Sequence, residues 1–274
     1  MSETRIGVVG GGNMAGAIIR GCLDSGRFPP AAWAVAEPNP ERRARVAALG
    51  VDTAESAADL VAALDPQAPL LLAVKPQSLD DVARDLAGAA AGRVVISILA
   101  GTPSSRIRAA LGAGDVRVVR VMPNVPAQVG RGTSAISSGA GARPGDDALA
   151  HEIFSAIGTV VRIDESLMDA FTAVAGSGPA YLFLLAEGMV EGAQRVGFDA
   201  EPAETIVRSV LSGSSLLLEA SDQSASDLRR TVTSKGGTTE AALEVLEGAG
   251  LADSVARAIV AARDRGISLA GGGR

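Results

Sequence analysis

Short apolar runs recur along the first part of the chain, and between them the apolar positions repeat at helical spacing. The runs at Arg5–Val9, Trp33–Ala36, Leu70–Val74, Val94–Leu99, Val116–Val121, Ser134–Ser137 and Val160–Ile163 predict strands. Met14–Leu23, Pro40–Ala48 and Leu79–Ala87 predict helices between them. Such alternation builds a parallel sheet covered by helices. After Ile163 the strand period vanishes, and long helices follow, punctuated by Gly176-Ser177-Gly178-Pro179, Gly197-Phe198-Asp199 and Gly236-Gly237. The predicted fold class is therefore α/β, with a doubly wound domain over residues 1–163 and an all-helical domain over 164–274.

One predicted helix stands apart. Pro179–Arg195 is apolar on nearly every face, with Tyr181, Leu182, Phe183, Leu184, Leu185, Met189 and Val190 broken only by Glu187 and Glu191 before Gln194 and Arg195. A helix of that kind is expected to be buried. A helical domain of about 110 residues covers it more easily with a second subunit than alone, so a dimer at least is expected. The breakers in Gly176–Pro179 are expected to stop the apolar stretch 170–186 from forming one long helix, so no membrane span is predicted. Met1–Arg5 leads into the first strand with no apolar leader, which implies a cytoplasmic setting.

Composition narrows the chemistry. With 47% hydrophobic and 20% charged residues, the 274-residue chain has ample surface to bury, which excludes disorder and fibrous architectures. Its 25 Lys+Arg against 31 Asp+Glu leave a net charge of -6, which disfavours a broad nucleic-acid or anionic-membrane surface. Cys22 and His151 are the only residues of their kinds, so disulfide frameworks, zinc clusters and a Cys-His pair lack material, and no metal site is expected. Cys22 reads as a small core residue and His151 as a solvated helix position. Chemistry must come from a cofactor, hydroxyls, lysines or backbone amides.

The opening strand runs into Gly10-Gly11-Gly12-Asn13-Met14-Ala15 and then a helix, a G-x-G-x-x-A pattern inside a βαβ unit. Gly10 allows the tight turn, Gly12 lets a pyrophosphate approach, and Ala15 permits close helix–sheet packing, with the helix N-terminus facing the phosphates. This is a Rossmann dinucleotide site, with Asn13 and Met14 on its helix. The acid expected about 20 residues on is Glu37, placed to accept hydrogen bonds from ribose hydroxyls and to repel a 2′-phosphate. Asn39, Arg42 and Arg43 start the next helix and could bind such a phosphate or form a solvated cap of charges.

Two further motifs follow strands. Lys75-Pro76-Gln77 lies at a strand end on the ligand-binding edge, and Lys75 and Lys235 are the only lysines in a chain that otherwise uses arginine. Pro123-Asn124 sits in a loop stiffened by Pro126, which would hold the Asn124 amide in place. In the helical half, Gly178-Pro179 starts a helix for structural reasons alone, whereas Ser177 has no such explanation. Ser234-Lys235-Gly236-Gly237-Thr238-Thr239 crowds hydroxyls and glycines ahead of a helix that Thr238 or Thr239 would cap. Several amides pointing at one spot suit a substrate carboxylate.

With these motifs in order, the chain resembles pyrroline-5-carboxylate reductases, most specifically over Leu228 to Glu247. The resemblance implies an N-terminal Rossmann domain and a C-terminal helical dimerisation domain, in a homodimer that can assemble into a ring of dimers. It implies NADPH or NADH bound near Lys75, Pro76, Gln77, Ala100, Gly101, Pro123 and Asn124, and a small cyclic imino acid whose carboxylate lies on the Ser234 to Thr239 loop. It also implies hydride transfer to the C=N bond in the last step of proline synthesis, with Thr239 bonding the ring nitrogen. Lys235 replaces a proline common in that loop. Two other readings stay open: a 3-hydroxy-acid dehydrogenase, disfavoured because no lysine lies between Gly176 and Lys235, and a non-catalytic dinucleotide sensor, disfavoured by the intact loop hydroxyls.

Overall fold

The computed structural model describes residues 5–112 and 114–271. The Met1–Thr4 start lies outside the described residues. The chain divides into a sheet unit, running to Ser177 and taking in the residues from Ala262 onward, and a helical unit, Gly178–Ala261. Strand structure ends at Arg162, close to the expected change at 163/164, whereas the compact units part at Ser177.

The sheet unit runs β1 (Ile6–Val9), α1 (Asn13–Asp24), β2 (Trp33–Ala36), α2 (Pro40–Ala47), β3 (Asp52–Ala54), α3 (Ala57–Ala62), β4 (Leu70–Leu72) and α4 (Leu79–Leu86). It continues with β5 (Val94–Ser97), α5 (Ser104–Ala110), β6 (Arg117–Met122), β7 (Gly132–Ser138), α6 (Ala148–Ser155), β8 (Gly158–Arg162) and α7 (Met168–Phe171). The strands lie in the order β3-β2-β1-β4-β5-β6-β7-β8. From β3 to β6 every pair is parallel. β7 then runs antiparallel to β6, because the link between them is too short for a crossover helix. β3 and α3 were not predicted: β3 is a short edge strand with exposed Asp52 and Thr53 and no apolar run.

Both faces of the sheet are buried, as a doubly wound sheet requires. Successive strand residues alternate between two cores: Val8, Trp33, Val35 and Leu71 join Ile18, Ile19 and Phe154 on one face. Val9, Ala34, Ala36, Leu70 and Leu72 join Leu60, Leu86 and Ile107 on the other. Cys22 is fully buried in the first, where burial pushes its thiol pKa up to about 12, so it is the inert core residue expected. His151 is half-buried on α6, its ring beside the Ser155 hydroxyl.

The helical unit holds α8 (Gly178–Arg195), α9 (Ala200–Ala220), α10 (Ala225–Thr231), α11 (Thr238–Gly248) and the start of α12 (Leu251–Gly271). No residue of α8 is buried within one chain, and Phe183 and Leu184 are 59% and 68% exposed, so the chain does not cover this helix by itself. One expectation changes here: the Gly176–Pro179 breakers fail to stop the helix. A π-turn, Thr172–Gly176, takes up the irregularity, and Pro179, near the start of α8, has no N–H to offer the Ala175 carbonyl one turn back. The resulting run Glu165–Arg195, 31 residues, is long and apolar enough to cross a membrane by length and composition.

Candidate active site

A cleft is assembled at the C-terminal edges of β1, β2 and β4. Gly10 turns the chain at φ +103°, and a Cβ there would stand 2.9 Å from the Ala73 carbonyl oxygen, so only glycine suits the position. Gly12 has open space where a Cβ would be and is the N-cap of α1 with no side-chain cap, leaving the first-turn amides without a side-chain acceptor. Ala15 is fully buried and serves helix–sheet packing, while Asn13 is exposed and Met14 leans on the core. The turn opens into a cleft of about 680 Å³ lined by Gly10, Gly12, Glu37, Arg42, Val74 and Lys75.

Glu37 lines this cleft at the end of β2. It is 3% exposed, and its carboxylate is already engaged: Oε2 accepts from the Gly11 N–H at 2.8 Å, and Oε1 from the Asn39 N–H at 3.0 Å and the Arg42 guanidinium at 2.8 Å. Burial raises its pKa, but the hydrogen bonds from Arg42, Asn39 and Gly11 outweigh it and hold the carboxyl below the usual range. Gly11, given no role by the sequence, permits this, since a Cβ there would meet Glu37 Cβ at 2.9 Å. Asn39 caps α2, its Oδ1 accepting from the Arg42 N–H at 2.9 Å. Arg43 bonds the Glu37 carbonyl and pairs with Glu55. The group is braced internally, and the Glu37 charge is matched by Arg42.

Along the same sheet edge, Lys75, Pro76 and Gln77 are exposed at a 3-10 turn after β4, and only Lys75 of the three lines the cleft. Ala100 is exposed and Gly101 turns at φ +62° after β5. Pro123 is buried and Asn124 is 8% exposed after β6. Asn124 is also internally engaged: its Oδ1 accepts from the Thr133 N–H at 2.8 Å and its Nδ2 donates to the Ala175 carbonyl at 3.0 Å. Ser177 is half-buried just after the π-turn, its N–H donating to the Thr172 carbonyl at 2.8 Å.

In the helical unit the hydroxyl-rich loop is rearranged relative to expectation. The N-cap of α11 is Gly237, without a side-chain cap, so neither Thr238 nor Thr239 caps the helix. The Gly236 N–H donates to Glu240 Oε2 at 2.6 Å, and the Gly237 N–H to the Ser234 carbonyl at 3.0 Å. These two amides are therefore occupied, whereas the first-turn N–H groups of α11, beginning at Thr238 and Thr239, have no intrahelical acceptor and no side-chain cap. Ser234 and Lys235 are exposed, and a Cβ on Gly237 would collide with Ser234 Oγ. Glu240, which the sequence did not single out, sits where a helix start commonly places a carboxylate that reaches back to a preceding amide.

The doubly wound sheet with an open glycine turn at its first helix defines a dinucleotide-binding α/β protein. Residues 165–269 match the family described as pyrroline-5-carboxylate reductase dimerisation, and residues 5–101 match NADP oxidoreductase coenzyme F420-dependent. The chain is 38% identical to a pyrroline-5-carboxylate reductase of Synechocystis, over 97% of this chain and 98% of that one. It is 37% identical to one of Pseudomonas aeruginosa, over 98% of each chain. A solved pyrroline-5-carboxylate reductase of Coxiella burnetii superposes with a TM-score of 0.89 at 31% identity, covering 98% of this chain and 99% of that one. A Plasmodium falciparum pyrroline carboxylate reductase solved with NADP bound gives 0.86 at 25% identity over the same shares. The chain belongs to the pyrroline-5-carboxylate reductase family.

Proposed function

We propose that this protein reduces 1-pyrroline-5-carboxylate to L-proline with NADPH or NADH, the last step of proline biosynthesis. The carrying observation is near-full-length likeness to reductases of that name, on a chain whose glycine turn is open where phosphates would lie. The cleft fits the coenzyme: Gly12 offers unobstructed approach, the first-turn amides of α1 are uncapped by any side chain, and Lys75 supplies positive charge. When bound, the reduced nicotinamide supplies a hydride to the C5 carbon of the C=N bond.

The protein's own residues have the remaining tasks. The first-turn amides of α11 and the Ser234 hydroxyl hold the substrate carboxylate, with Lys235 adding charge nearby. The Thr239 hydroxyl bonds the ring nitrogen, whose charge changes as the C=N bond is reduced, and Ser177 helps to orient the ring. The protonated imine is already electrophilic, so alignment and charge stabilisation suffice, which suits a chain with one histidine. Domains of 1–163 and 164–274 divide these roles. The exposed apolar faces of the helical unit pair with a second copy in a homodimer, which can build a ring of dimers in the cytoplasm, with no nucleic-acid or membrane partner.

The test follows NADPH and NADH absorbance with pyrroline-5-carboxylate, and in parallel NAD(P) reduction with 3-hydroxy acids. Coenzyme oxidation with the imine alone is expected. Turnover of a 3-hydroxy acid alone, or coenzyme binding without any turnover, would replace this reading.

A further inference from the structure

We infer that Asn124 is a positioning residue of the hydride-transfer site, acting by holding the π-turn Thr172–Gly176 against the end of β6. The inference rests on the proposed reductase function. A π-turn inserts an extra residue into a helix and widens its hydrogen bonding, and such turns gather at functional sites. Here the Ser177 N–H reaches back five residues to the Thr172 carbonyl, and the Ala175 carbonyl is taken by Asn124 Nδ2.

Only one orientation of the Asn124 amide satisfies both its contacts. Flipped, its oxygen would face the Ala175 carbonyl oxygen and its NH2 would face the Thr133 N–H. Pro123 and Pro126 stiffen the loop on either side. The neighbouring strand residue closes on the same turn, for Met122 Cε lies 3.3 Å from where a Gly176 Cβ would stand. The Thr172 hydroxyl secures the turn from within by donating to the Met168 carbonyl at 2.8 Å. Asn124 thus ties the strand edge proposed to carry the nicotinamide to Ser177, proposed to meet the substrate ring. A misplacement of about 1 Å between reacting groups costs on the order of a hundredfold in rate.

Two variants test this. Asn124→Asp keeps the shape and the acceptor for Thr133 but sets lone pairs against the Ala175 carbonyl. Thr172→Val keeps the shape and removes the hydroxyl bond from the same turn. For each, kcat with the imine, coenzyme Kd by nicotinamide fluorescence, and the isotope effect with coenzyme deuterated at the transferred position are measured. The expected signature is a fall in kcat of roughly ten- to hundredfold, a larger isotope effect, and a coenzyme Kd changed by less than about threefold. A Kd weakened in step with kcat would make Asn124 a direct coenzyme contact and overturn the inference. An unchanged kcat and isotope effect in a folded variant would overturn it as well. If Asn124→Asp does not fold, Thr172→Val carries the same readings. A wild-type protein inert towards the imine removes the functional reading and this inference together, whereas an active wild type with unaffected variants removes this inference alone.

Discussion

The sheet unit and the helical unit both carry many apolar side chains, yet only the first closes over them. On the sheet, consecutive residues of β1, β2 and β4 are buried on alternating faces, and even Glu37 and Asn124 are internally satisfied. Among the described residues of the helical unit, only Ala203 and Val207 are buried, while Phe183, Leu184, Leu216 and Leu217 are each more than half exposed. At about 25 cal/mol per Å² of apolar surface removed from water, so few buried residues cannot offset the entropy of ordering this unit. The sheet unit is a finished coenzyme-binding body. The helical unit leaves its apolar faces uncovered, and it lies within the segment that matches a dimerisation family.

That contrast can be broken from either side. The largest effect is expected from Leu184→Glu, which places a carboxylate on the exposed apolar face of α8. An unpaired charge in a buried interface costs about 3 to 5 kcal/mol, on the order of a thousandfold in association. Light scattering should find a monomer without imine turnover, while coenzyme fluorescence still reports binding by the sheet unit. A dimer of normal strength would show that this face is not the interface.

The converse variant, Gly10→Val, strains a φ of +103° and crowds the Ala73 carbonyl. Coenzyme Kd should weaken by about ten- to hundredfold, as expected for about 1 to 3 kcal/mol of strain. The oligomeric state should not move. Monomerisation would mean that the two units are not separable in this way.

Much of this contrast was legible in the sequence. Strands with both faces buried read as continuous apolar runs, so β1, β2 and β5 and the change to helix near Arg162 could be placed. β3 could not, because Asp52 and Thr53 are exposed on an edge and carry no apolar signal. The all-round apolar character of α8 was read as needing cover, most easily from a second subunit, and no residue of α8 is buried within the single chain. The glycine turn was visible because its spacing is local. What Glu37, Asn124 and the Gly236 amide bond to was not visible, since the first two reach Gly11 and Ala175, 26 and 51 residues away. For Gly236 a local signal existed, in the glutamate four residues on, and it was overlooked.

Smaller effects sharpen the account within each unit. Thr239→Ala should lower kcat by about ten- to hundredfold, the equivalent of roughly 1 to 3 kcal/mol for a hydrogen bond that strengthens as the ring nitrogen changes charge. Coenzyme Kd should be unchanged, and unaltered turnover would take Thr239 out of the mechanism.

Glu37→Ser would release Arg42, whose side chain is 46% exposed, from its ion pair and leave it available to a 2′-phosphate. The ratio of kcat/KM for NADPH over NADH should rise by about tenfold, or about 1.4 kcal/mol. An unmoved ratio would mean that the brace has no part in coenzyme choice.

Acid provides the mildest probe. Glu37 and Glu165 are both held below the ordinary range: burial raises each pKa, but hydrogen bonds from Arg42 in one case and from Ser104 and Arg120 in the other outweigh it. Groups lowered in the folded state contribute stability that is fully present above the unfolded value of about 4.3 and is lost as pH falls through the depressed values. Thermal unfolding of the sheet unit should therefore be insensitive to these groups near neutral pH and fall in that acid window. Alanine at either position should flatten the fall.

The most direct test is specific activity with pyrroline-5-carboxylate and NADPH, measured over a dilution series alongside mass by light scattering. The account predicts that turnover per chain tracks the dimeric fraction and is restored on reconcentration. A monomer that reduces the imine at the undiluted rate would contradict it, because the helical unit would then be complete within one chain.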